Sequence, residues 1–319
     1  MLNHSTHALE ALQQLDLARL PAADAQALHE VMGLLHKAVK FELPTNGTLF
    51  GEDFEKGYDI LEPDLLHLPF EAVALEYRYE YFDGSRAGER NVPVVKRIAL
   101  CLDIQTHQNL SFLKRLTAQA PHIAEAGGVL VYPILCYGDV WTPIAWGVAL
   151  PRIESDGTNL TTYRYGKGLT KTARIGLLPV PVLHSVVTKL MAELGPDQAI
   201  RDAFHDCGEE VTSLVGLLAA LSCRNVYLKD TPAPDKLNAK RAKAGRPEFY
   251  GFKTLEVDTH KLAREGAGHN EAPSGRLSPK EHIRRGHVRR LHSGSRIWVQ
   301  AAVVGAGSKG VIHKVYKVK

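Results

Sequence analysis

The segment HIRRGHVRRLHSGSRIWV, residues 282–299, gathers His282, His287 and His292 with Arg284, Arg285, Arg289, Arg290 and Arg296, and ends at Trp298-Val299. Guanidinium groups in such number fit phosphate oxygens. A Trp beside an Arg on the polar face of a strand fits a stacked base. Histidines fit a metal or acid–base work. Their spacing argues against the metal. Five residues turn a helix by about 500°, so successive histidines share no helical face. On a strand, odd spacing puts them on opposite faces. No cysteine or acidic cluster accompanies them, and the side chains of His205-Asp206-Cys207 diverge on a helix. No metal and no cofactor is therefore expected.

A catalytic reading needs a nucleophile, a base and a charge stabiliser. The chain holds no GxSxG, Walker A, HExxH, or GxGxxG after a strand. GAGSKG at 305–310 lacks the P-loop spacing and reads as a turn. A histidine-dependent nuclease or phosphoesterase, using His287 beside a basic clamp, stays open as an alternative.

These residues must be held by local elements. Ser278-Pro279-Lys280-Glu281 is a helix-start pattern and predicts a short helical turn presenting Glu281, His282, Arg284 and Arg285, ended by Gly286. GHVRRL and RIWVQAAVV flanking HSGS predict a β-hairpin over 286–303. Alternation puts Ile297, Val299, Ala301 and Val303 toward a core and Arg296, Trp298 and Gln300 away from it. For Trp298, base stacking and packing under the last strand stay open. DTPAPDKLNAKRAKAGRPE, residues 230–248, is polar and Pro-containing, and reads as a linker or exposed arm carrying Lys240, Arg241, Lys243 and Arg246.

The rest of the chain reads as an α+β fold. Leucine-rich patterns over 6–40, broken at Pro21, predict an N-terminal helical hairpin. EAVALEYRYEYF and VPVVKRIALCLDI, joined by DGSRAGER, predict a β-hairpin. GGVLVYPILCY with WTPIAWGVAL, and shorter strands around Gly166 and Gly168, extend a central, largely antiparallel sheet. VLHSVVTKLMAELG and GEEVTSLVGLLAALSC are helical, the second apolar nearly all round. NVYL and FYGFKTLEV read as further strands, before a basic β-rich end.

Charge divides the chain. The net charge is +4, but Lys229–Lys319 holds 20 Lys+Arg against 8 Asp+Glu, an excess of 12, while the rest holds 19 against 27. We therefore read an acidic α+β body, 1–228, and a basic region, 229–319. Such a split points to an anionic partner, nucleic acid first. The other reading is that the basic end docks on its own acidic body. Cys101, Cys136, Cys207 and Cys223 are widely spaced, which fits reduced thiols in a cytoplasm. No secretory signal pattern opens the chain. VLVYPILCYGDVWTPIAWGVAL at 129–150 is interrupted by Pro133, Gly138 and Pro143, so it reads as buried strands around a turn, with no membrane partner.

LNAKRAKAGRPEFYGFKTLEV at 237–257 and RRGHVRRLHSGSRIWVQAAVVGAGSKG at 284–310, with a weaker echo in LPFEAVALEY at 68–77, resemble a family of uncharacterised tailed-bacteriophage and prophage proteins. The resemblance implies a phage setting and a bacterial host cytoplasm. It implies no activity and carries no site residue.

The expected function is a non-enzymatic phage-type accessory protein that binds DNA or RNA through Lys240, Arg241, Lys243, Arg246, Arg284, Arg285, His287, Arg289, Arg290, Arg296 and Trp298. The alternatives are a protein-binding inhibitor or assembly factor acting on host or phage machinery, and the nuclease above.

Overall fold

Two hydrophobic periods in the chain become two kinds of layer. The computed structural model describes residues 2–49, 65–80, 95–152, 162–165, 169–172, 176–258, 282–284, 287–299 and 302–304. In chain order the elements are α1 (His4–Leu12), α2 (Ala22–Lys37), β1 (Val39–Glu42), β2 (Ala72–Tyr79), β3 (Val95–Asp103), α3 (Ile104–His107), α4 (Ser111–Gln119), α5 (Pro121–Ala126), β4 (Gly128–Tyr137), β5 (Val140–Pro143) and β6 (Trp146–Pro151). There follow β7 (Thr162–Tyr165), β8 (Leu169–Thr172), β9 (Leu178–Pro181), α6 (His184–Leu194), α7 (Pro196–Leu221), β10 (Val226–Thr231), α8 (Asp235–Lys243), β11 (Phe252–Val257), β12 (His282–Arg284), β13 (His287–Arg290), β14 (Arg296–Val299) and β15 (Ala302–Val304). The fold is α+β.

One sheet runs β10-β11-β1-β2-β3-β4-β6-β9, with β5 paired to β4. β1 lies parallel to both β2 and β11, and the other pairings in this sheet are antiparallel. The sheet is thus mixed. β1 is only VKFE, too short for its period to stand out after a helix. Residues 129–150 form β4, β5 and β6, the buried strands expected there, and no helix among the described residues is long and apolar enough to cross a membrane.

Both faces of the sheet are covered. Val73, Leu75 and Tyr77 of β2, with Cys101 and Val131, meet Val211, Leu214, Val215 and Leu218 of α7. Ala74, Ile98, Leu100 and Tyr132 meet α1, α2, α4 and α5 through Leu9, Val31, Leu35, Leu113 and Ile123. A leucine so enclosed contributes about 1.5–3 kcal/mol, and Leu214→Ala should cost about 2–5 kcal/mol because a cavity remains. Where the loop after β1 passes α7, Gly47 has φ 64° and a Cβ there would lie 2.0 Å from Ser213 Oγ, so only glycine fits.

Double coverage explains one departure from the alternation. Glu76 alternates with Leu75 and Tyr77 along β2 and so points to the other side of the sheet, yet it is buried. Its carboxylate accepts the His4 and Ser5 N–H groups at 2.8 and 2.9 Å, which are orphan donors at the start of α1. Lys40 is the counterpart. It donates to the Leu35, His36 and Ala38 carbonyls at 2.7, 3.0 and 2.6 Å, closing the end of α2, and burial pushes its ammonium down to about 8.

β10 and β11 belong to the same sheet as the acidic body, so the charge boundary at 228/229 is one of composition and runs through a single strand.

Candidate nucleic-acid interface

Residues 230–248, read as a linker or exposed arm, instead complete β10 and form α8. The helix DKLNAKRAK has no apolar stripe, which is why its period is invisible. Its signal lies in its ends: Pro234 precedes it, Asp235 stands in the first turn, and Lys240, Arg241 and Lys243 stand in the last, each sign matching the helix dipole.

The two faces of α8 do different things. Asn238 and Arg241 are buried. Asn238 exchanges hydrogen bonds with the Phe249 backbone, donating to its carbonyl and accepting its N–H, both at 2.8 Å. Arg241 lies over the Phe249 ring at 4.0 Å, donates to the Pro247 carbonyl at 2.6 Å, and pairs with Glu10 of α1 at 2.6 Å. Arg246 reaches the same Glu10 carboxylate at 2.9 Å. Burial pushes the Glu10 carboxyl up, but the Arg246 and Arg241 guanidiniums outweigh it and hold the group below the usual carboxylate range. Arg241 is therefore spent inside the protein, and its assignment to a phosphate surface is corrected. Arg246 keeps an exposed guanidinium but shares its acid. On the other face Lys236, Lys240 and Lys243 are exposed. Steps of four and three residues keep them within about 60° of one another, opposite Arg241 and Asn238, over about 10 Å of axis. Among the described residues no carboxylate pairs with them.

The C-terminal hairpin forms, with β13 antiparallel to β14 in the register His287↔Val299, Val288↔Trp298, Arg289↔Ile297 and Arg290↔Arg296. β12 and β15 continue it as a second pair, Arg284 opposite Ala302. Residues 282–284 are thus a strand and not the expected helical turn, because pairing with β15 supplies backbone partners that one turn of helix lacks. Ile297 is buried and Arg289 exposed. Arg296 is half-buried, and its carbonyl accepts the Arg224 N–H at 3.1 Å, which ties the hairpin to the end of α7. Arg285 lies outside the described residues, as do the side chains of Arg284, His287, Arg290 and Trp298, the GAGSKG segment and residues 263–275.

Between hairpin and α8 runs β10, which the charge-run reading passed over. Val226 and Leu228 pack on the core, whereas Tyr227 and Lys229 stand on the other face and are exposed. The Tyr227 hydroxyl donates to Glu256 Oε2 at 2.9 Å, and Lys229 pairs with the same carboxylate. The alternation of NVYL carried that signal.

The acidic body holds polar clusters of another kind. Arg97 makes a two-point contact with Glu210 at 2.6 and 3.0 Å, and the Tyr77 hydroxyl donates to the same carboxylate at 3.0 Å, all buried between β3 and α7. Ser185 donates its N–H to Asp24 at 3.2 Å and its hydroxyl to the same carboxylate, a cap on α6. The four cysteines are reduced and buried, and burial pushes their thiols up, Cys223 to about 11, away from nucleophilic thiolate. Among the described residues no three His, Cys, Asp or Glu side chains converge to hold a metal. Chemically, the arrangement leaves exposed cations on α8 and the hairpin and one exposed ring on β10.

No family model, curated protein or solved structure matches the chain.

Proposed function

We propose that the protein binds nucleic acid through phosphate contacts made by its basic C-terminal surface, without base-edge readout. The observation that supports this most directly is the division of α8. Its buried arginine anchors the helix, and Lys236, Lys240 and Lys243 remain on one solvent face without acidic partners among the described residues. Arg289 adds an exposed cation on the hairpin, and we include Arg284, Arg285, His287, Arg290, Arg296 and Trp298 of the same segment in the proposed surface. Phosphate binding by such groups needs no reaction, so the proposal is a binding protein. An accessory role of this kind suits the phage setting and host cytoplasm implied by the C-terminal resemblance.

The test is fluorescence anisotropy with labelled single-stranded DNA, duplex DNA and RNA at low and near-physiological salt. Each lysine that neutralises a phosphate should contribute about 0.7–0.9 to the slope of log affinity against log salt. Joint replacement Lys236→Glu, Lys240→Glu and Lys243→Glu should lower that slope by about 2–3. Unchanged binding in this variant would remove α8 from the interface. Absence of binding by the wild type at low salt would remove the function.

A further inference from the structure

We infer that β10 is the spine of a single-stranded nucleic-acid track, and that the Tyr227 ring is where a base stacks. This rests on the nucleic-acid reading above and names its substrate class. Three observations converge on the strand. First, β10 ends the main sheet, and among the described residues no strand pairs with its outer edge. Such an edge presents backbone N–H groups that suit phosphate oxygens. Second, the strand joins the two basic patches. The hairpin meets its start, where the exposed Arg224 donates its N–H to the Arg296 carbonyl, and α8 with its lysine face follows its end. Third, Tyr227 is an aromatic side chain 49% exposed on the strand between these patches, with Lys229, Glu256 and Asp258 as its charged neighbours.

The ring is also oriented. Its hydroxyl is held by Glu256, and Lys229, two residues on and on the same face, pairs with that carboxylate. The acid that fixes the ring is thereby neutralised before a phosphate arrives. A phenol fixed at its far end loses little freedom when a base stacks on it. Bases within a duplex are already stacked on each other and offer this ring no face, whereas unpaired bases do. An oriented ring on an exposed strand between two basic patches therefore selects single strands, with little preference among bases.

The test compares a labelled thymidine oligomer of about 12 nucleotides with an abasic oligomer of equal phosphate number and a duplex of equal length. Wild type should prefer the thymidine oligomer over the abasic one by about 5- to 30-fold. Tyr227→Ala should erase that preference while leaving abasic binding and its salt slope unchanged. Tyr227→Phe should keep the preference and shows that the ring suffices. Equal wild-type binding of thymidine and abasic oligomers would overturn the stacking role while leaving phosphate binding intact. So would a preference retained in Tyr227→Ala, or tighter binding of duplex. A wild type that binds none of the three would overturn both readings. A dimer in solution that Tyr227→Ala dissociates would assign the edge to a second copy of the chain and overturn the track.

Discussion

Two acid–arginine junctions of this protein differ in what surrounds them. Arg97 and Glu210 meet between β3 and α7, where Glu210 is fully buried and also accepts the Tyr77 hydroxyl. Glu10 meets Arg241 and Arg246 at a seam between α1 and the segment around α8, where the Arg246 side chain is 58% exposed. In the interior each partner is hidden from water, so removing one strands the other. At the seam Arg241 is as hidden as Arg97, but Arg246 lies open to water, which replaces part of what is lost there. The first junction should therefore govern folding, and the second only the docking of α8 and its lysines.

The widest separation between the two should come from Glu210→Ala. Leaving Arg97 buried without its acid should cost about 3–5 kcal/mol, read as a large fall in Tm. A melt close to wild type would show that the interior junction does not carry the helix–sheet packing.

Acid separates the regions next. Burial, then the charges of Lys96, His7 and Arg78, push the His4 imidazole down to about 3 from 6.5. The folded state refuses a proton that the unfolded chain accepts, so this group's contribution is complete above pH 6.5 and is lost as pH falls toward 3. His4→Phe keeps a ring against Trp141 and should flatten stability across that window by several kcal/mol. Chemical denaturation at several pH values reads this, and parallel pH profiles for variant and wild type would refute it.

Glu10→Gln should cost less, about 1–2 kcal/mol. Because the two arginines hold the Glu10 carboxyl below its usual range, its contribution is present above the ordinary carboxylate range and fades as pH falls through the folded value. The variant should lack that fading and should show faster amide exchange in α8 while the central sheet stays protected. Equal loss of protection in both places would erase the distinction between interior and seam.

The smallest effect on stability belongs to the exposed lysines. Lys236→Glu, Lys240→Glu and Lys243→Glu should each move stability by under about 0.5 kcal/mol, so any loss of nucleic-acid binding in them reports contact rather than unfolding.

Much of the architecture could be read in advance where apolar residues repeat. The strands β2, β3, β4 and β6, helices α2, α6 and α7, and the hairpin of β13 and β14 follow from period and turn residues. β1 and α8 did not show, one for its four residues and one because a buried arginine and asparagine do the work of apolar side chains. The proposed interface was half visible. A run of cations declares its sign at once, but it does not say which of them are consumed.

Composition and periodicity thus settled the class of fold, the charge contrast between the two ends and the candidate cations, since these depend on residue types and neighbours along the chain. Tertiary contacts settled which cations remain available. Arg241 and Lys240 are adjacent in sequence, and only the placement of Glu10, 231 residues from Arg241, sends one inward and leaves the other in solvent. The same holds for Tyr227, whose exposure depends on β10 falling at the edge of the sheet. Electrostatic pairing acts through space, and the partners here are brought together by packing that no local pattern encodes.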